Sequence, residues 1–194
     1  MKTDPINPRF TYGDYVQWTG DDRWELIDGV AFSMTPSPRR IHQELLGNLY
    51  LQIATFLRGH RCRVYLAPFD VRLPDADEPD ADVRTVVQPD LSVVCDTSKL
   101  DDAGCRGAPD WIIEISSPRT SARDQLEKRD LYERHGVGEY WTVDPKERRF
   151  LVFRLDPATR RYGTPLAAAA EGKTPVVTLP GLAIDWQEAF GDQT

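Results

Sequence analysis

The sequence contains no long apolar run, since no hydrophobic stretch approaches the roughly 20 residues that a membrane-spanning helix needs. The first ten residues are polar, contain two prolines and lack the apolar centre of a secretory signal. A helical membrane protein and a secreted protein are therefore both disfavoured. We expect a cytoplasmic protein with no membrane partner.

Cysteine is scarce. The chain has three, at Cys62, Cys95 and Cys105. Their odd number and wide spacing predict neither a disulfide framework nor a zinc ribbon, and fit a reducing compartment. Cys62 and Cys95 stand in apolar runs and are expected to be small core residues. No base stands near any of the three, so a catalytic cysteine is not expected.

The chain also lacks an excess of positive charge, because its net charge is −7. Proteins that bind nucleic acid without regard to sequence usually carry a basic balance. A large DNA footprint is therefore disfavoured, whereas a small local footprint is not excluded. Each local basic cluster is by itself expected to be a solvated surface. These clusters are 39–40, 58–63, 119–129 and 148–149.

The length and composition are those of an ordinary folded domain. The 194 residues, of which 40% are hydrophobic and 28% charged, suffice for one domain with a sizeable core. The local patterns follow the order helix, hairpin, long helix, several strands, helix, strands. This order predicts a single domain over 1–194 of the α/β (α+β) class, with a mixed sheet and helices beside it.

Two stretches carry the clearest local signals. Asp28-Gly29 stands between the apolar runs 24–27 and 30–34, and an Asp-Gly pair in this setting predicts a two-residue hairpin turn. Apolar residues then recur at helical spacing over 39–57, which predicts the longest helix of the chain.

A second helix is predicted over Ala122–His135, with Leu126, Leu131 and Tyr132 on its inward side. Gly136 provides its C-terminal stop. An interior strand is predicted at 111–115, where the run is almost continuously apolar. Other apolar runs predict strands at 61–66, 69–73, 84–87, 91–94, 139–144, 150–155 and 176–179.

The remaining stretches give weaker signals. Thr11–Trp18 is interpreted as a short helix, with Thr11 as its cap and Asp14 at the third helical position. The stretch 96–108 is interpreted as a polar connection, and 186–190 as a closing helical turn.

Three residues carry the chemistry. Asp90 and Glu114 stand at or inside apolar strand-like runs, and Lys128 follows on the predicted helix. A buried carboxylate is costly unless a cation or hydrogen-bond donors hold it. Two carboxylates that face one point repel each other, so a divalent metal is a natural third party. A lysine nearby could hold an anionic substrate or a developing negative charge.

Simpler interpretations remain open for each residue. Asp90 follows a proline and could be a turn aspartate that opens a strand. Glu114 could be a strand-end acid that is half solvated or paired with an arginine. Lys128 stands four residues after Asp124, which would suit a modest surface ion pair.

Three further residues are accessory candidates. His42 and Glu44 open the long helix. A lone histidine is more often a surface or packing residue, but it could also be a ligand, a proton shuttle or a phosphate contact. Glu25 lies in the hairpin, where it is either a cross-strand polar residue or a member of the same site.

An ordered set of motifs resembles the Uma-two family of small bacterial proteins, an endonuclease branch of the PD-(D/E)XK superfamily. The match covers about 24–155. The motifs are Glu25-Leu26-Ile27-Asp28-Gly29, Ser37-Pro38-x-x-x-His42, Pro89-Asp90, Pro109-Asp110-x-x-x-Glu114-x-x-Ser117-Pro118, Asp124-x-x-x-Lys128-x-x-x-Tyr132 and Gly136-Val137-x-Glu139-Tyr140-Trp141-x-Val143-Asp144. Each motif is weak alone, whereas their order is specific.

The resemblance implies a restriction-endonuclease-like core, with a mixed central β-sheet flanked by helices. It implies Asp90 and Glu114 as ligands of Mg²⁺ or Mn²⁺, and Lys128 as the catalytic lysine. The superfamily usually places that lysine two residues after the glutamate, where this chain has Ser116. His42 matches a family position, and Glu44 is an acid of the kind that some superfamily members use from a helix.

The leading hypothesis is therefore a Mg²⁺-dependent endonuclease that hydrolyses DNA phosphodiester bonds. One alternative is a non-catalytic binding or regulatory module that keeps the nuclease fold, and another is a phosphodiesterase of small molecules. A homodimer would suit cleavage of both strands. The aromatic residues near the second helix are expected in core or dimer packing rather than in base stacking. They are Tyr140, Trp141, Phe150 and Phe153.

Overall fold

A computed structural model describes residues 9–20, 22–34, 39–116 and 122–191, with 122–125 as backbone only. The helices are α1 (Tyr12–Tyr15), α2 (Arg40–Phe56), α3 (Ala122–His135) and α4 (Trp186–Phe190), with short 3₁₀ turns at Asp80–Asp82 and Thr97–Lys99. The strands are β1 (Trp24–Ile27), β2 (Val30–Ser33), β3 (Arg63–Leu66), β4 (Val71–Arg72), β5 (Val86–Val87), β6 (Leu91–Val94), β7 (Leu100–Asp101), β8 (Gly104–Arg106), β9 (Trp111–Ile115), β10 (Glu139–Asp144), β11 (Arg149–Arg154), β12 (Leu166–Ala169), β13 (Lys173–Pro175) and β14 (Ala183–Asp185).

The main sheet has the order β12-β11-β10-β9-β6-β3. The central pair β9 and β10 is parallel, and α3 connects the two strands, whereas the other neighbours are antiparallel. Parallel neighbours require such a crossover, which explains why a helix separates two apolar runs in the sequence. The mixed sheet with helices beside it confirms the predicted fold class.

The two faces of the main sheet pack against different helices. Trp111, Ile113 and Ile115 share a hydrophobic cluster with residues of α2 and α4. Ile112 lies in a second cluster with Leu131 and Tyr132 of α3, as the inward side of that helix predicted. Because strand side chains alternate between faces, Glu114 lies on the α3 face beside Ile112.

The motif Glu139-Tyr140-Trp141 is part of this core. Glu139 is buried and accepts hydrogen bonds from the Trp141 indole at 2.9 Å and from the Thr178 amide at 2.8 Å. Tyr140 stacks on Phe153, and Trp141 stacks on Phe150. The interpretation of these aromatic residues as core residues is confirmed.

A second sheet carries the predicted hairpin. Its order is β2-β1-β5-β4-β8-β7. Asp28 and Gly29 have φ angles of 51° and 82°, which is the left-handed geometry that a two-residue hairpin turn needs. Pairing of Leu26 with Val86 joins the hairpin to β5, just before Asp90. The hairpin thereby brings Glu25 towards the main sheet.

Several sequence predictions need correction. The stretch 96–108, predicted as a connection, contains strands β7 and β8. The stretch 176–179 is not a strand, and the sequence did not predict β12, β13 and β14. These strands have two to four residues, which is too short for an alternating pattern to show. Leu126 is 55% exposed and does not face the sheet. The break at Thr35–Pro38 lies outside the described residues.

The prediction that the cysteines form no disulfide is wrong, because Cys62 and Cys95 are bonded to each other. They follow the register of the antiparallel pair β3 and β6, in which Arg63 is opposite Val94. Antiparallel pairing therefore closes the 33-residue separation that made a bond look improbable in the sequence. Disulfides are rare in cytosolic proteins, so the compartment argument drawn from cysteine usage loses its support.

Cys105 is the remaining free thiol, and it is buried. Burial raises the pKa of this thiol to about 11, which leaves it protonated and unreactive near neutral pH. Within the described ranges, no helix is both long and apolar enough to cross a membrane.

The buried side of α2 should dominate its contribution to stability. Ile53 is 0% exposed and Leu51 is 61% exposed on the same helix. We expect Ile53→Ala to lower the free energy of unfolding by about 2–5 kcal/mol, because it leaves a cavity in the core. Leu51→Ala should change it by less than about 0.5 kcal/mol. Urea unfolding of both variants provides the measurement, and equal losses would contradict this packing.

Candidate active site

Asp90 and Glu114 meet where β6 and β9 pair. Leu91 is opposite Ile113 in this antiparallel pair, so the preceding and following residues are neighbours at the same end. The Oδ2 atom of Asp90 accepts a hydrogen bond from the Ile115 amide at 2.7 Å. The two acids are therefore close together by strand register, as their positions in neighbouring strands predicted.

Lys128 reaches the carboxylates from α3. Its Nζ atom lies 2.8 Å from Oε1 of Glu114 and 3.0 Å from Oε1 of Glu25. Tyr132, one turn later on the helix, donates its hydroxyl to the same Glu114 oxygen at 2.8 Å. Residues four apart share a helix face, so the stripe that packs on the sheet also delivers the lysine.

This ion-pair cluster is largely removed from water. The exposed fractions of the side chains are 7% for Glu25, 17% for Glu114 and 19% for Lys128. The partner of Glu114 is thus a lysine that bridges two acids, rather than an arginine or solvent. The alternative pair of Asp124 with Lys128 lies outside the described residues, because the Asp124 side chain is not among them.

The environment raises the pKa of Glu114 to about 6. Burial is the main cause, and Lys128 opposes it, while the negative charges of Asp90 and Glu25 raise the pKa further. Burial by itself would lower the pKa of Lys128, but Glu114 and Glu25 outweigh it, so its pKa lies above the ordinary value. Lys128 is therefore a permanent cation near neutral pH.

His42 extends the cluster from the other face of the sheet. Its Nε2 atom lies 3.2 Å from Oδ2 of Asp90. Burial lowers the pKa of His42, but Asp90, the charge of Glu114 and the Ile115 backbone together raise it by more, so the net shift is upward. Its Nδ1 atom is buried and has no partner among the described residues.

Glu44 does not join the site. It forms an ion pair with Arg40 at 2.6 Å, and its side chain is 45% exposed. Of the three accessory candidates, the structure thus brings His42 and Glu25 to the carboxylates and leaves Glu44 on the surface of α2.

Two residues that the sequence did not single out hold Glu25 in place. The backbone N–H of Gln88 donates to Oε1 of Glu25 at 2.9 Å, and Arg23 Nε donates to the side-chain Oε1 of Gln88 at 2.9 Å. The Nη2 atom of Arg23 is buried and has no partner in the described part of the chain. Arg23 stands two residues before Glu25, and residues at this spacing lie on the same face of an extended chain. This spacing is the sequence signal that could have identified Arg23.

The carboxylates retain acceptor capacity. All hydrogen bonds that the described residues make to Asp90 converge on Oδ2, and those made to Glu114 converge on Oε1. The other oxygen of each accepts none from these residues. As the described side chains stand, no group of three or more His, Cys, Asp or Glu is arranged to hold a metal ion. The donor set on offer is two carboxylates, which suits Mg²⁺, an ion that keeps several waters.

The fold belongs to the restriction-endonuclease-like class. A crystal structure of a putative nuclease of the DUF820 group from Anabaena variabilis superposes with a TM-score of 0.73. The match covers 93% of this chain and 97% of that protein, at 19% sequence identity. Identity this low shows the fold, and the function of that protein is not transferred by it.

The chain belongs to the Uma2 family, described as "Putative restriction endonuclease", whose family model matches residues 12–187. The resemblance drawn from the ordered motifs is thereby confirmed. No protein of curated function matches the chain.

Removal of the bridging cation should shift the titration of Glu114. We expect Lys128→Met to raise the pKa of Glu114 above about 6, because the lysine is the main influence that lowers it. Lys146→Met, at a side chain that is 83% exposed, should leave it unchanged. Carboxyl carbon NMR titration measures both.

The raised pKa of Glu114 also makes the stability of the fold depend on pH. The pKa of Glu114 in the folded protein, about 6, lies above that of an unfolded chain. Its contribution to stability is therefore fully present below about pH 4.3 and is lost as the pH rises through about 6. In Lys128→Met this loss of stability should extend to higher pH. If the free energy of unfolding has the same pH dependence as in the wild type, Lys128 is not the counter-charge of Glu114.

Proposed function

We propose that the protein is a metal-dependent nuclease that hydrolyses DNA phosphodiester bonds at the Asp90, Glu114 and Lys128 cluster. The observation that supports this most directly is the position of Lys128 Nζ, 2.8 Å from Glu114. The superfamily's usual lysine position holds Ser116, and α3 supplies an ammonium group to the same carboxylate. The family, described as putative restriction endonucleases, agrees with this chemistry.

Asp90 and Glu114 would hold Mg²⁺ or Mn²⁺ through the oxygens that accept no hydrogen bond from the described residues. When bound, the ion would supply an activated water molecule and would stabilise negative charge on the phosphate. Carboxylate oxygens are hard ligands that suit these ions. Burial raises the pKa of Glu114 most, and the neighbouring charges of Asp90 and Glu25 raise it further. A divalent cation would relieve this repulsion between the acids.

Lys128 would contact the phosphate or orient the attacking water. Its charge is permanent at neutral pH, and an ammonium group has three donors, of which Glu114 and Glu25 each receive one. The remaining donor can serve an anionic oxygen. Glu25 acts in this scheme as the second counter-charge that holds the lysine.

His42 is proposed as a positioning residue. It lies against the same oxygen of Asp90 that accepts the Ile115 amide, and so restrains the orientation of the carboxylate. Glu44 has no part in the proposed site because it is paired with Arg40 on the surface.

The two other hypotheses predict different activities for the same fold. A non-catalytic module would cut no nucleic acid with any metal, and a small-molecule phosphodiesterase would prefer short phosphodiesters to plasmid DNA. We also propose a homodimer, which would suit cleavage of both strands, and a cytoplasmic location, as the lack of a long apolar run in the sequence suggests. Two sites working together would linearise a plasmid, whereas one site would nick it.

Loss of either proposed ligand should abolish cleavage. We expect Asp90→Asn and Glu114→Gln to lose the nicking of supercoiled plasmid in Mg²⁺ or Mn²⁺, because each removes a charge that holds the ion. Glu44→Gln removes the same charge from the surface of α2 and should retain wild-type cleavage. Activity that persists in Asp90→Asn would overturn the proposed metal site.

Lys128 should be needed for turnover but not for metal binding. We expect Lys128→Met to lower kcat by about 10²–10³-fold, as loss of a donor to developing negative charge typically does. Mn²⁺ binding, followed by calorimetry, should be unchanged or tighter, because a neighbouring cation has been removed. Weaker binding together with full activity would contradict the role of the lysine.

A further inference from the structure

A groove continues the candidate site across the α3 face of the main sheet. It encloses about 420 Å³, which is within the range of small-molecule and backbone-binding clefts. The residues that line it are Ser116, Thr142, Asp144, Arg149, Phe150, Leu151, Ala167, Ala168 and Ala169. We call it the β10–β12 groove.

Strand register ties the groove to the carboxylates. Thr142 on β10 is the partner of Glu114 on β9, and Leu151 on β11 is the partner of Thr142. Ala167 on β12 is the partner of Leu151 and completes the row. Paired residues project from the same face, so the floor of the groove begins one strand, about 4.8 Å, from Glu114.

Arg149 provides the groove with an unpaired positive charge. Arg149 is exposed, and its side chain makes no hydrogen bond or ion pair with any residue in the described ranges. Asp144 is opposite Arg149 in the β10–β11 register, but its Oδ1 atom accepts the amides of Lys146 and Glu147, both at 2.9 Å. Asp144 is thus engaged with the turn, and the guanidinium is left for an external anion.

The other lining groups suit a sugar-phosphate backbone. Ser116 and Thr142 offer hydroxyl groups, while the small side chains Ala167 and Ala169 leave room above the sheet. Arginine and hydroxyl donors are the usual contacts to phosphate and sugar. Arg149 lies two strands and two residues from Glu114, about 12 Å between Cα atoms, so a phosphate that it contacts would be a different one from the scissile phosphate.

We propose that the β10–β12 groove binds the backbone of the DNA strand beside the scissile phosphate, with Arg149 as its phosphate contact. The proposal rests on the nuclease function proposed above. It assigns the substrate to polynucleotides rather than to small phosphodiesters, since a small substrate would not span the distance. It also gives a chain of net charge −7 a local cationic contact for an anionic substrate.

The expected effect is on binding rather than on chemistry. A contact remote from the reacting phosphate is the same in the ground state and the transition state, so its loss raises KM and leaves kcat unchanged. We expect Arg149→Gln to raise KM for a labelled DNA duplex about tenfold, as loss of one charged hydrogen bond implies. The slope of log affinity against log salt concentration should become shallower by the amount that corresponds to about one phosphate contact.

Arg148→Gln is the matched control. It removes the same charge one residue away, but Arg148 lies over the Phe190 ring at 4.2 Å, on the face of α2 and α4. Its KM should be that of the wild type. Ala167→Trp, at an exposed position, fills the groove without a change in charge and should raise KM as Arg149→Gln does. Thermal unfolding checks that all three variants are folded.

Bis(4-nitrophenyl) phosphate separates the groove from the catalytic cluster, because it can occupy the cluster alone. Arg149→Gln should leave its hydrolysis unchanged. The groove proposal is overturned if Arg149→Gln and Arg148→Gln have the same KM for DNA. It is also overturned if Arg149→Gln lowers kcat on both substrates. If the wild type cleaves neither substrate, the nuclease proposal fails, and fluorescence anisotropy with the labelled duplex then decides the groove: equal affinity of wild type and Arg149→Gln overturns it.

Discussion

The ion-pair cluster of Lys128 with Glu114 and Glu25 is the interaction on which the site depends. A lysine that is 19% exposed has lost most of its hydration, and two carboxylates compensate it. The same contacts connect α3, the central strand β9 and the hairpin of the second sheet. Removal of the lysine would leave two buried acids without a counter-charge, so one residue both joins the sheets and sets the electrostatics of the site.

The cluster also shows how a chain without the usual lysine on β9 could carry out the proposed chemistry. Ser116 occupies the superfamily's lysine position, and α3 returns over the sheet with Lys128 and Tyr132 on its inner face. Because α3 is the required crossover between parallel strands β9 and β10, its packing on the sheet is fixed by topology. The proposed activity thus depends on a helix that the fold needs in any case.

The acidic balance of the chain constrains where an anionic substrate can lie. With a net charge of −7, the overall charge of the chain does not favour long-range attraction to DNA, so local positive groups would have to supply it. Arg149 in the β10–β12 groove and Lys128 in the cluster are proposed as two such contacts on one face of the sheet. Their separation favours an extended substrate, which distinguishes the proposed nuclease from an enzyme of small phosphodiesters.

The sequence by itself determined the long periodic elements, the Asp28-Gly29 turn and the pairing of Asp90 with Glu114, because these depend on local pattern and order. Only the tertiary structure decided that Glu25, and not Glu44, joins the site. Both are acids on elements beside the carboxylates, and only strand register and helix face distinguish them. The tertiary structure likewise decided the Cys62–Cys95 bond and the two-residue strands. Such features are set by contacts between distant residues, which no local pattern records.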